Sequence, residues 1–387
     1  MQPDFSIRDV EVYLDNAATT VIDEEVVGAM VPYLEERYGN PETPYYLGRE
    51  AQEAVDDARA QVSELLGCLD DEVYFTSGGT ESNNWAVKSL LHDKAQILVG
   101  AAEHSSVLEA AKWAASSRGI KLHEVAVDSE GVVDVGFIEH MAETGNVGLV
   151  SIQHSNNEVG TLQPVDEISA ICAKHKVPFH CDACQSFGKV PLDVDEEGYD
   201  MVSLSAHKIH GPMGIGALYV RPGVSIEPLL HGGSHERGRR AGTLAVPQIV
   251  GFGKAAELAY RAMKKDMPRV FKMVDELAHE LGVKCDAVRN GSPKKRLPNI
   301  LNVSLPGVDA SLLVGVLAKH GICISTGSAC RTKQAASPVL RAMGKDRASC
   351  ESAIRVSLSR YTTEADIAHF VAKLQTSLKE LPQRGTM

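Results

Sequence analysis

The sequence predicts an α/β protein: a large domain with a mostly parallel sheet flanked by helices, then a smaller α+β domain at the C-terminal end. Three observations lead there. Short β-branched runs alternate with longer helical patterns over the first two thirds, which builds parallel sheets covered by helices. The pattern changes after about Gly253, where a long charged helical region precedes a new set of strands. Finally, 387 residues at 44% hydrophobic exceed what one core holds.

The strand candidates of the large domain are VYFTS (73–77), QILVG (96–100), KLHEVAV (121–127), VGLVSIQ (147–153), VPFHCDA (177–183), MVSLSA (201–206) and GALYV (216–220). The helical stretches between them include 49–67, which ends on Gly67 as helices often do, 105–119 and 165–176. The charged helical region runs to near Leu281, and NILNVSL (299–305) and SAIRVSLS (352–359) read as late strands. A helix over 310–321 leads into the small-residue run ISTGSACRTK (324–333), and a helix over 363–381 follows the last strand. The expected division is 13–260 and 261–387, with residues 1–12 packing on the smaller domain.

Composition excludes several functions. A net charge of −12 disfavours broad binding to nucleic acid or anionic membranes. SPKKR (292–296) reads as a solvated loop. No segment has the pattern of a secretory leader or a membrane span, which points to the cytoplasm. The eight cysteines are scattered, as free thiols are in a reducing compartment. Cys181 and Cys184 have CxxC spacing, but without a second pair, and with only His180 beside them, they make a weak metal site. GFGKAA (251–256) nearly matches a dinucleotide fingerprint but lies inside a helical pattern instead of after a strand, so it is rejected.

The chemistry gathers at strand ends, where open α/β sheets bind ligands. Ser205, His207 and Lys208 follow one strand and precede a glycine-rich turn. A lysine there suits a covalent link to a carbonyl cofactor, with hydroxyl, imidazole and backbone donors for its phosphate. Asp182 ends another strand, where a carboxylate can keep a pyridinium nitrogen protonated. FTSGGTESNN (75–84) is a strand, a Gly-Gly turn and a helix start, so backbone N–H groups with Gly79 and Thr80 can hold a phosphate. His104 follows a strand in AAEHSSV, available to stack on a ring or to move protons. Cys330 sits among Ser325, Thr326, Gly327, Ser328 and Ala329, a poor core and a poor helix, with Arg331 next to it.

With these segments in view, the chain resembles a cysteine desulfurase of the NifS/IscS family, class V of the fold-type I enzymes that use pyridoxal 5'-phosphate. YLDNAATT, FTSGGTESNN, NNEVGTLQP, CDACQSFGKVPLDV, SLSAHKIHGPMGIGALYVR, HGGSHERGRRAGT, TGSAC and AIRVSLSRYTTEAD carry the resemblance, in order, over roughly 13–366. It implies that Lys208 binds the cofactor aldehyde and moves the substrate α-proton. Asp182 faces the pyridine nitrogen, Gln185 and Asn157 contact the ring oxygen, and His104 stacks on the ring. Gly79, Thr80, Ser205 and His207 hold the phosphate. Thr243 reaches the phosphate of a neighbouring subunit, which implies a homodimer. Arg355 and Asn157 bind the substrate, Arg355 by its carboxylate, a task that suits a bidentate guanidinium. Cys330 takes the sulfur of L-cysteine as a persulfide and passes it to acceptor proteins for iron–sulfur cluster assembly or for tRNA and cofactor thiolation. A persulfide on Cys330 also offers a ligand to an iron–sulfur cluster.

The chain departs from the family pattern in places. GNPETPYYLG (39–48) lacks the usual histidine, His210 stands where tyrosine is common, and Cys181 and Cys184 replace small or β-branched residues and read as packing. The chain ends soon after its last helix, so docking of a scaffold protein through a longer tail is not expected. The alternative activities are a selenocysteine lyase or another class V reaction, and outside catalysis a docking platform for sulfur acceptors.

Overall fold

The computed structural model describes residues 12–89, 96–327 and 337–381. In chain order the elements begin with β1 (Val12–Tyr13), α1 (Glu24–Glu35), α2 (Tyr46–Leu66), β2 (Val73–Thr76), α3 (Gly79–Ser89), β3 (Gln96–Gly100), α4 (Ser105–Arg118), β4 (Lys121–Val125) and α5 (Val135–Glu143). Then come β5 (Val147–Gln153), α6 (Val165–His175), β6 (Phe179–Asp182), α7 (Val194–Glu197), β7 (Met201–Ser205), β8 (Gly216–Val220) and α8 (Val246–Lys265). The last part holds α9 (Met267–Cys285), β9 (Val288–Asn290), β10 (Ile300–Ser304), α10 (Ala310–Lys319), β11 (Ile322–Cys323), α11 (Pro338–Ala342), α12 (Arg347–Glu351), β12 (Ala353–Ser357) and α13 (Glu364–Glu380).

Among the described residues the main sheet has seven strands in the order β2-β8-β7-β6-β5-β3-β4. All neighbours are parallel except β8, which runs against both β2 and β7. β5, β6 and β7 are buried along their whole length, as their nearly continuous apolar runs require when helices cover both faces. One face packs α1, α2, α5, α6 and α8 through residues such as Val62, Leu66, Ile168 and Phe252. The other packs α3 and α4 through Trp85, Val107 and Ala111 against Ile97 and Val99. The alternation of Ile97 and Val99 with Leu98 between the two faces is the two-residue period of a strand.

The predicted long helix is two helices. α8 ends at Lys265 and α9 starts at Met267 with Pro268 in its first turn, where a missing N–H costs nothing. α9, α10 and α13 form a second core with Val12, Leu14, Val303, Ile354 and Val356. Its antiparallel sheet has the order β12-β10-β9, and β1 pairs in parallel with β11. The start of the described chain thus packs on this second core, while residues 1–11 lie outside the described residues.

One expectation fails, and one helix is not foreseen. SPKKR is not wholly a solvated loop: Lys294 and Lys295 are exposed, but Arg296 is buried, paired with Asp275 at 2.6 Å and stacked on Phe271 at 3.9 Å from the ring centroid. The sequence reading also leaves 24–35 unassigned, where α1 forms behind an Asp23 cap that accepts from the Glu25 N–H.

Candidate active site

Because β2, β3, β5, β6 and β7 point the same way, their C-terminal ends lie along one edge of the sheet. The chain winds outward from β3 to β4, then crosses back to β5 and winds the other way, so the strand order reverses beside β5. That reversal opens a crevice at the strand ends. The sequence-predicted residues on β2, β3, β5, β6 and β7 come to this edge.

Lys208 closes a short helical turn after β7. Its Nζ donates to the carbonyls of Ala17 at 2.7 Å and Ala18 at 2.6 Å. Burial, reinforced by the Arg355 guanidinium, pushes the amine down to about 8. A minority of it is therefore a neutral nucleophile near physiological pH, far more than for an ordinary lysine. His207, beside it, is pushed down to about 4 by burial and by Lys208 and is neutral, with Nδ1 3.1 Å from the Thr19 hydroxyl.

Asp182, at the end of β6, is buried and holds two donors: the Cys184 N–H at 3.0 Å and Asn83 Nδ2 at 2.7 Å. Asn83 also donates to Ser106 Oγ at 2.8 Å, and Ser106 Oγ lies 2.7 Å from His104 Nδ1. Asn83 and Ser106, neither singled out from the sequence, thus join Asp182 to His104, the N-cap of α4. Asn83 sits inside the quoted FTSGGTESNN, but only the fold shows that it reaches a carboxylate 99 positions away. Glu103, next to His104, is fully buried, and burial followed by the nearby Asp182 raises it well above the carboxylate range.

The turn before α3 is built for close approach. A Cβ on Gly79 would lie 2.4 Å from Cys184 Sγ, and one on Gly216 would lie 2.7 Å from the Gly78 Cα. Glycine at these positions keeps the first N–H groups of α3 open beside Ser205 at the end of β7. Thr80 is exposed in the first turn. Cys184 is held under this turn with Sγ 3.6 Å from the Ser203 carbonyl, and burial raises its thiol well above the usual range. His180 makes no metal site with the cysteines, because both its ring nitrogens are hydrogen-bonded, to Ser151 Oγ at 2.8 Å and Ser203 Oγ at 2.9 Å.

Gln185 is buried, and its Nε2 donates to the Ala17 carbonyl at 2.8 Å. Arg355, in β12, is 1% exposed. It donates to the carbonyls of Asn157 and Gly327 at 2.8 Å each and pairs with Asp15 at 2.7 Å. This single side chain ties the smaller unit to the crevice. Asn157 lies in the loop after β5 and Thr243 is exposed before α8. Cys330 and Arg331 lie outside the described residues. Their flanks are described: Gly327 has φ +105, and Ser337 donates to Glu158 Oε2 at 2.5 Å. A Cβ on Gly327 would lie 2.9 Å from that same Oε2.

A half-buried amine lowered toward neutral pH, a buried carboxylate with its own donors and an open helix start beside small hydroxyls fit a phosphorylated pyridine aldehyde such as pyridoxal phosphate. The Cβ-free turn leaves no side chain in the way of the phosphate.

Similarity to known proteins agrees with this fit. The family description "Aminotransferase class-V" matches residues 12–370. A cysteine desulfurase IscS of Dictyoglomus turgidum is 40% identical over 377 residues, 96% of this chain and 95% of that one. Cysteine desulfurase 2 of Trichormus variabilis is 44% identical over 361 residues, 92% of this chain and 90% of that one. A solved NifS-like protein superposes with a TM-score of 0.90 at 39% identity, covering 96% of this chain and 100% of that one. The structure of SspA in complex with cysteine superposes with a TM-score of 0.80 at 32% identity, covering 91% of this chain and 100% of that one. The described architecture is accordingly that of the fold-type I enzymes, and the chain belongs to the aminotransferase class-V family of pyridoxal-phosphate-dependent enzymes.

Proposed function

We propose that the chain is a cysteine desulfurase that converts L-cysteine to L-alanine and keeps the sulfur as a persulfide on Cys330. The observation that carries this reading is the half-buried Lys208 amine, poised at about 8, in one crevice with the buried Asp182 and Arg355. Arg355 is in turn bonded to Gly327, at the base of the Cys330 segment.

When bound, the cofactor supplies an electron sink for a carbanion formed beside an amine. Lys208 holds the cofactor and carries the substrate α-proton. Asp182, steadied by Asn83, would face the ring nitrogen, Gln185 and Asn157 would meet the ring oxygen, and His104 would stack on the ring. Gly79, Thr80, Ser205 and His207 hold the phosphate, with Thr243 of a second copy. Arg355 orients the substrate carboxylate. The Cys330 thiolate attacks the substrate sulfur: the S–S bond forms as the C–S bond breaks, and protons complete the methyl group of alanine. Atoms and electrons balance with no added reductant or oxidant.

The chain acts as a homodimer in the cytoplasm and hands its sulfur to acceptor proteins of iron–sulfur assembly or thiolation. Val27, Val31 and Leu34, exposed along one stripe of α1 with Val21 beside it, support a partner copy. Seven described cysteines are free thiols, and no described helix is long and apolar enough to cross a membrane. We assign 13–260 to the cofactor-binding unit and 261–387 to the unit that carries Cys330, a division supported by their separate cores.

Single-turnover mass spectrometry with L-cysteine tests this reading. One added sulfur on Cys330, absent in Cys330→Ala, is expected. No added sulfur with the cofactor bound would refute it.

A further inference from the structure

In the run QSFGKVPLD, Lys189 is a lysine in the interior with no part in the roles above. Gly188 has φ +70, and a Cβ there would lie 2.8 Å from the Ala259 Cβ on α8. This close approach turns the next side chain inward. Lys189 is buried and lines a cavity of about 30 Å³ together with Lys208, His210 and Asn299. Among the described residues no carboxylate pairs with it; its ammonium donates to the Gln185 carbonyl at 2.8 Å and to Gln185 Oε1 at 3.4 Å. A buried amine without a paired anion is costly to keep charged, which is why such groups cluster where they serve a function.

The geometry of Gln185 shows what that cost supports. The Ala17 carbonyl can only accept, so it takes the Gln185 Nε2 and the amide oxygen is left facing Lys189. Nε2 then points the other way, to the Ala17 carbonyl, the same carbonyl that takes Lys208 Nζ. Lys189, Gln185, Ala17 and Lys208 form one hydrogen-bonded row.

We propose that Lys189 is a positioning residue: it locks the Gln185 amide in one orientation and so sets the donor presented to the ring oxygen of the cofactor. The proposal rests on the reading of Gln185 given above. Burial, with Lys208 as the next contribution, brings Lys189 down to about 7.

The test is a mutant cycle on the holoenzyme. Lys189→Met keeps the stem and removes the donor, and Lys189→Gln serves if the first variant does not fold. The readouts are the visible absorption maximum, its induced circular dichroism and the cofactor dissociation constant. Lys189→Met is expected to move the band and weaken cofactor binding about tenfold, the scale of one charge-assisted bond, and to change neither in a Gln185→Ala background. An equal change in both backgrounds, or none in the wild type, would overturn the proposal. An unmoved band in Gln185→Ala alone would sink the Gln185 reading and the proposal with it, and that arm tells the two failures apart.

Discussion

Glu236→Gln should loosen the segment that carries Thr243. Glu236 is buried and takes Arg59 in a two-pronged pair, Nη2 to Oε1 at 2.7 Å and Nη1 to Oε2 at 2.9 Å. Its Oε2 also accepts the Phe75 N–H of β2 at 2.7 Å. β2 is an edge strand, so these side chains take the place of a further strand, helped by Arg237 donating to the Val73 carbonyl at 2.7 Å. Breaking one partner of a buried pair costs about 3–5 kcal/mol. An unfolding entropy of about 2.1 cal/mol/K per residue puts that at a fall in Tm of about 4–6 °C for a chain of this size. Arg59→Met should cost a similar amount, and the double variant little more than either one, because both remove the same interaction. Differential scanning calorimetry at fixed protein and cofactor concentration reads all three. Additive losses, or a single-variant fall below about 1 °C, would refute the reasoning.

Other expectations follow from the crevice. Cofactor uptake by the apoenzyme should speed up with pH and level off just above pH 8, because burial lowers the Lys208 amine to about 8 and its neutral form attacks; stopped-flow absorbance still climbing at pH 10 would contradict this. Gly216→Val should cost cofactor affinity tenfold or more, since its Cβ would crowd the Leu204 carbonyl at 2.4 Å and Gly78; equilibrium dialysis checks it. Cys184→Ala should leave sulfur transfer to Cys330 intact, and Cys184 should resist thiol labels in the native protein, read by mass spectrometry.

The sheet was legible because buried parallel strands are nearly continuous apolar runs, and Lys208, Asp182 and His104 each follow one. What escaped has local causes. α1 contains Gly28 and Pro32, which read as breakers, and tertiary packing overrides them. β1 and β11 are two residues long, too short for any period. Arg296 looks like one more charge in a basic run until Asp275 and Phe271 enclose it. Asn83, Ser106 and Lys189 act through partners distant in sequence or through a backbone twist, and a lone polar residue carries no sign of either.

The Asn83–Ser106–His104 row has a consequence for proton traffic. Asn83 is the donor to Ser106 Oγ, so that hydroxyl keeps its own hydrogen for His104 Nδ1, and the Ser106 N–H points at the same nitrogen at 3.2 Å. Two donors converge on Nδ1, so Nδ1 accepts and the ring hydrogen sits on Nε2. In the proposed reaction His104 would enter with its hydrogen on Nε2, as a group that gives a proton before it can accept one.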